Sequence, residues 1–133
     1  MKILINIDVP DLNPAIDFYR AALGLSVNRI IDGDVAELAG ASAVIYLLQK
    51  SVGSSPSKAL AGVRQYTRHW TPIHFDCVVD NVEEAARAIA AGAQQESDCV
   101  EWMGSRCISF SDPFGHGFCL IEFTDETYKD NAA

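Results

Sequence analysis

The sequence predicts an α+β fold: two βαβββ modules in tandem, with mixed sheets curved around a central trough. Three observations predict it. Residues 3–25 read as strand, turn and helix, and residues 73–93 read the same way 70 positions later. Residues 112–123 then close the second copy with a turn and a strand. One helix covers only one face of a four-stranded sheet, so each module leaves a face that needs a partner. Two such faces line a hollow of the kind that ligands occupy.

Ile3, Ile5, Ile7 and Val9 alternate with Leu4, Asn6 and Asp8, a period of two that marks a strand with one aliphatic and one increasingly polar face. Pro10 stops it. Asp11 is placed to cap the following helix, and Pro14 is tolerated in the first turn. Leu12, Ala15, Ile16, Tyr19, Ala22 and Leu23 recur at helical spacing, and Gly24 supplies the left-handed residue that ends the helix. Residues 25–31, 35–39 and 43–49 read as strands separated by Asp32-Gly33-Asp34 and Gly40-Ala41-Ser42 turns. The stretch 50–62 is rich in Ser, Gly and Lys and contains Pro56, which marks it as the connection between modules.

The second copy opens with a strand over 73–79, placing Phe75, Cys77 and Val79 on one face and His74, Asp76 and Val78 on the other. Asn81-Val82-Glu83-Glu84 is a capping-box pattern before an Ala-rich helix running to Gly92. Residues 95–102, 106–111 and 117–124 are the last three strands. The limits are therefore 1–55 and 71–124 for the two modules, with a linker over 56–70 and a loose tail over 125–133.

Bulk properties narrow the function classes. A chain of 133 residues that is 49% hydrophobic and 21% charged has the make-up of a globular protein. It has no apolar run near the roughly 20 residues a membrane span needs. The N-terminal apolar stretch is broken by Asn6 and Asp8 and reads as a strand, not a leader, so the expected compartment is the cytoplasm. A net charge of −8 repels phosphate backbones and anionic membranes, which argues against nucleic-acid or membrane partners. Cys77, Cys99, Cys107 and Cys119 form no CxxC pair and read as free buried thiols.

Several of these motifs together resemble the vicinal oxygen chelate superfamily, which includes glyoxalase I, extradiol dioxygenases, fosfomycin-resistance enzymes and the bleomycin-resistance protein. Val9-Pro10-Asp11-Leu12, then Ala15-Ile16-Asp17-Phe18-Tyr19 and Leu23-Gly24-Leu25, are similar to its first strand–helix signature. Asp112-Pro113-Phe114-Gly115-His116 is similar to its turn before the last strand, with His116 where Asn is usual; His116 is read as a turn residue. The resemblance covers about residues 1–124. It implies a homodimer, and in metal-dependent members four converging ligands. Their positions fall here on Leu4, Tyr46, His74 and Cys119. Leu4 cannot coordinate, Tyr46 coordinates rarely, and two remaining donors make a weak site. The expectation is therefore no metal or other cofactor. The alternative is a displaced site using His74, Asp76 and Cys119.

The ligand-binding candidates are Asn6, Asp8, Tyr46, His74, Asp76, Trp102, Arg106 and Cys119. Asn6 and Asp8 share a strand face with Leu4, where a dry core would penalise them. Tyr46, Trp102 and Trp70 offer flat apolar surface or ordinary packing. Arg106 either pairs an anionic ligand or neutralises Asp8 or Asp76. His74 is either a cavity-lining histidine satisfied by Asp76 or an acid–base group, and His74 with Asp76 are the catalytic candidates. Cys119 is either a small buried thiol or a nucleophile paired with a base.

Three readings of function follow. The first is metal-free binding of a small organic molecule, cationic or aromatic, in the trough. The second is a lyase, isomerase or dioxygenase-type enzyme with a rearranged metal site or His/Asp acid–base catalysis. The third is a dimerisation module with a filled trough.

Overall fold

The computed structural model describes residues 1–89 and 92–126. The chain forms two compact units, Met1–Thr67 and the part from Arg68 onward.

The first unit contains β1 (Leu4–Val9), α1 (Leu12–Leu23), β2 (Ser26–Ile31), β3 (Val35–Ala39) and β4 (Val44–Gln49). Its sheet runs in the order β1-β4-β3-β2, with β1 parallel to β4 and the other pairs antiparallel. The period-two pattern is realised. Ile7, Val9, Ala36, Leu38, Ile45 and Leu47 are buried beneath Leu12, Ala15, Ile16 and Tyr19 of α1. Gly24 adopts φ 66° and its N–H bonds the Arg20 carbonyl at 3.1 Å, as the left-handed ending requires. The other end of the helix differs from expectation. Asp11 holds the N-cap position without a side-chain hydrogen bond. Gln49 Oε1 accepts from Leu12 N–H at 2.9 Å instead, so a residue of β4 satisfies the helix start. Asp32 and Gly33 have φ 52° and 75°, the paired positive values of a tight hairpin whose twist matches its strands.

The chain after β4 is tied back to this unit. Gly53 N–H bonds the Arg64 carbonyl at 2.8 Å, Arg64 N–H bonds the Ser54 carbonyl at 2.9 Å, and Tyr66 OH donates to the Lys50 carbonyl at 2.6 Å. The boundary between the units accordingly falls after Thr67.

The second unit contains β5 (Asp76–Val78), α2 (Val82–Ile89), β6 (Gln94–Gln95), β7 (Val100–Trp102), β8 (Ser105–Ser111) and β9 (Gly117–Phe123). Its order is β5-β9-β8-β6, with β7 also pairing β8 and β5 parallel to β9. Val82, Ile89, Ile108, Phe110, Phe118 and Leu120 form its core. Asn81 Oδ1 accepts from Glu84 N–H at 2.9 Å, the cap read from the sequence. Glu122 Oε1 takes Val82 N–H at 2.9 Å. The helix is described to Ile89; residues 90 and 91 and the tail beyond 126 lie outside the described residues.

Two strands differ from the sequence reading. The strand expected over 73–79 shortens to Asp76–Val78, with Cys119 N–H still reaching the Phe75 carbonyl at 3.1 Å. The strand expected over 95–102 is two strands. Between them, Ser97 Oγ rather than a backbone carbonyl accepts from Ser109 N–H at 2.9 Å, a cross-strand side-chain bond that replaces a rung of the ladder. The second sheet consequently has five strands, not four. No described helix is long and apolar enough to cross a membrane.

Candidate functional site

Each sheet has one face under its helix and one face without a helix. On the uncovered face of the first sheet, β1 contributes Leu4, Asn6 and Asp8, and β4 contributes Val44, Tyr46 and Leu48. Their registers place Leu4 opposite Val44 and Asn6 opposite Tyr46. Asn6 is exposed. Asp8 is held by Arg64, whose Nε lies 2.8 Å from Asp8 Oδ2.

The organising group of this face is Glu37 of β3, which is 8% exposed. Asn28 Nδ2 donates to its Oε1 at 2.6 Å, and Tyr46 OH donates to its Oε2 at 2.7 Å. Arg29 Nε and Nη2 reach the same Oε2 at 3.2 and 3.1 Å. These donors, Asn28 first, then Tyr46 and Arg29, stabilise the charged carboxylate and pull its pKa down to about 2. The same Glu37 contact raises the Tyr46 hydroxyl's pKa, so that group remains a proton donor.

On the uncovered face of the second sheet, Asp76 and Cys119 are register partners across β5 and β9, and Cys119 faces Ser109 across β9 and β8. His74 Nε2 lies 3.3 Å from Asp76 Oδ1. One donor atom from each of His74, Asp76 and Cys119 lies within 4.8 Å of the other two. Cys77 and Cys107 are held in the protonated form. Burial pushes Cys107 up to about 12, with Cys119 adding to the shift, and pushes Cys77 up to about 11. The four cysteines are free.

A family model described as a glyoxalase-like domain matches residues 4–121. The chain belongs to the glyoxalase-like family, within the vicinal oxygen chelate superfamily. No curated protein matches it. Among solved structures, it resembles a glyoxalase/bleomycin resistance protein/dioxygenase from Nocardioides at 18% identity and TM-score 0.67, covering 94% of this chain and 84% of that one. A genomically encoded fosfomycin resistance protein from Listeria monocytogenes matches at 21% identity and TM-score 0.69, covering 93% of each chain. A lactoylglutathione lyase from Agrobacterium tumefaciens matches at 19% identity and TM-score 0.63, covering 92% of each. At these identities the likeness establishes the α+β fold of tandem βαβββ-like modules.

The donors of this glyoxalase-like chain do not fit the four-ligand metal centre that the resemblance implies. Leu4 has no donor atom. The Tyr46 hydroxyl is spent on Glu37. His74 and Cys119 are left, and both belong to the second unit.

The eight candidate residues of the glyoxalase-like domain fall into distinct places. Asn6 and Tyr46 are neighbours on the first sheet, with Asp8 two residues along, and His74, Asp76 and Cys119 converge on the second. Trp102 is 60% exposed and shares the Cys119 face, but it pairs Ser105, four residues along β8 from Ser109. Arg106 alternates to the helix-covered face, where it contacts Glu83 of α2 and lies 3.8 Å from Glu101 and 3.9 Å from Glu122. The pairing with Asp8 or Asp76 weighed from the sequence is thus replaced by three glutamates. His116 Nδ1 lies 2.7 Å from Asp112 Oδ2, and Asp112 Oδ1 accepts from Phe114 and His116 N–H at 2.9 Å each, which is the work of a turn residue.

Sequence reasoning missed Asn28, Arg29, Glu37 and Arg64. One signal was present for Glu37. A glutamate at the centre of Val35-Ala36-Glu37-Leu38-Ala39 is a charge inside a strand, and such a charge needs partners.

Proposed function

We propose that this glyoxalase-like protein binds a small organic molecule on its uncovered sheet faces, and that the binding itself calls for no metal. The observation that carries the reading is the first sheet's face. Leu4 and Tyr46 occupy positions where the resemblance implies metal ligands, and the Tyr46 hydroxyl is committed to Glu37 at 2.7 Å. Apolar Leu4 and Val44 beside polar Asn6 and Asp8 supply what binding without chemistry needs: flat apolar contact and a few polar anchors. A net charge of −8 favours a cationic ligand, and Trp102 adds an exposed aromatic surface for an aromatic one. The protein acts in the cytoplasm as a homodimer in this reading, since exposed sheet edges and open faces favour pairing of copies.

The test is a thermal-shift screen on chelator-treated protein with quaternary ammonium and aromatic compounds, run beside divalent metals. A ligand selective for the folded state raises the melting temperature in proportion to the logarithm of its concentration above Kd. The expected result is stabilisation by organic compounds with chelator present. Stabilisation by metals alone would overturn the reading.

A second reading is favoured by the His74–Asp76 contact. A histidine held 3.3 Å from a carboxylate can move a proton, which suits an isomerase or lyase. Turnover that is lost in both His74→Ala and Asp76→Asn supports it.

A further inference from the structure

We propose that the turn between β7 and β8 carries a binding site of its own, a cavity that takes an organic ammonium ion. The cavity belongs to the second unit. It goes beyond the reading above, which concerns the uncovered sheet faces, and neither depends on the other.

Strand register builds the cavity. Trp102 and Ser105 pair at the end of the β7·β8 ladder, and Met103 and Gly104 turn between them with φ 43° and 74°. Ser105 also pairs Phe123 of β9, and Thr124 N–H bonds the Gly104 carbonyl at 2.8 Å. The chain leaving β9 therefore runs along the turn. The two stretches line an open hollow of about 400 Å³, a volume that suits a small organic ligand. Glu101, Trp102, Met103, Gly104, Arg106 and Asp125 carry its chemistry. Gly104 is what admits Asp125. A Cβ at Gly104 would lie within 2.6 Å of the whole Asp125 carboxylate, so any side chain there would push that group aside.

The lining selects a cation with an apolar part. Trp102 and Met103 are 60% and 59% exposed, and they offer an indole and a thioether as apolar contact. The indole face attracts ammonium through its ring electrons. The surrounding charge is negative. Arg106 contacts Glu83 and lies 3.8 Å from Glu101 and 3.9 Å from Glu122. Arg87 acts on Glu83 as well. Two arginines thus serve three glutamates, and Asp125 brings a further carboxylate to the lining. A carboxylate accepts several hydrogen bonds at its two oxygens, so Glu101 and Asp125 can each take an ammonium N–H beside their partners within the chain. An anion would meet the same carboxylates with only Arg106 to hold it, and Arg106 is already shared among glutamates.

Trp102 reports the test. The chain has two tryptophans, so full-length Trp70→Phe protein leaves Trp102 as the single emitter. Phenethylammonium chloride is the probe, and phenethyl alcohol, with the same ring and no charge, is the control. The expected result is a saturable change in Trp102 emission with the ammonium compound and none with the alcohol. Added salt raises the Kd, since partly exposed charges are screened. Asp125→Asn raises it about 10-fold, the loss of one hydrogen bond between charged groups. Glu101→Gln raises it about 3-fold, as befits an exposed ion pair. Both replaced residues are exposed, and melting temperatures without the probe verify that the variants fold. Asn6→Leu leaves the titration unchanged, because Asn6 belongs to the first sheet. Equal responses to the ammonium compound and the alcohol would overturn the proposal. So would binding that survives both carboxylate substitutions. If that surviving binding is lost in Asn6→Leu, the cation sits on the first sheet, which sinks the cavity and leaves the sheet-face reading standing.

Discussion

Asn28 Nδ2 donates to Glu37 Oε1 across 2.6 Å because β2 carries one more residue than β3 between Val27 and Arg29. The register passes from Val27 opposite Leu38 to Arg29 opposite Glu37, leaving Asn28 as the extra residue of a bulge. Without it, Asn28 and Arg29 would point to opposite faces. With it, two consecutive side chains converge on one carboxylate. The bulge thereby gives the uncovered face of the first sheet a fixed charge with four hydrogen bonds.

That relationship sets an acid limit on the first unit. The Glu37 carboxyl titrates near 2 in the fold against an ordinary 4.5. A depressed carboxylate pKa contributes stability that is fully present above the unfolded value and lost as pH falls through the folded one. The expected outcome is a melting temperature that drops between about pH 4.5 and 2. Glu37→Gln lowers the melting temperature at pH 7 and flattens the drop. Melting curves at pH 7, 4 and 3 check both.

The donors to Glu37 are unequal. Asn28 is the largest cause of the lowered pKa and Tyr46 the next. In Asn28→Ala the carboxyl titrates higher than in Tyr46→Phe, and both titrate above the parent. Carbon-13 NMR of the Glu37 carboxyl reads the order directly.

Leu47 has no exposed surface, between α1 and the sheet. Leu47→Ala removes three buried carbons and leaves a cavity, at a cost of about 2–5 kcal/mol. Urea denaturation followed by far-ultraviolet circular dichroism measures it.

Gly117 is a packing glycine. A Cβ there would lie 2.6 Å from Arg68 Nη2, whose guanidinium pairs with Glu96 at 2.7 and 3.0 Å. The obstructed atom is the end of a flexible side chain, so Gly117→Ala moves Arg68 rather than breaking the sheet. The fold survives, with a loss below about 1 kcal/mol for a partly exposed pair. The Glu96 carboxyl, held low by Arg68, returns toward its ordinary range. NMR titration of Glu96 in the variant tests this.

Arg106 and Asn6 separate the two faces. Arg106 is engaged by Glu83 on the helix side, while Asn6 is exposed on the open face. An organic ligand found by thermal shift keeps its Kd in Arg106→Ala and loses affinity in Asn6→Leu. Calorimetry on the two variants tests the assignment.

Features that depend on neighbours along the chain were legible in the residues alone. Alternation at Ile5, Ile7 and Val9 fixed which face of β1 is buried, Gly24 fixed the end of α1, and Asn81 fixed the start of α2. The 70-residue repeat fixed the tandem fold. The spacing of His74 and Asp76 is local too, and their side chains meet at 3.3 Å although β5 begins only at Asp76. Contacts that cross between strands became visible with the fold. The bulge at Asn28, the opposition of Asp76 and Cys119, the break before Val100 and the turning of Arg106 toward Glu83 all follow from register. Register is set by which strands pair and how far each is offset, and one residue of offset exchanges the two faces of a strand.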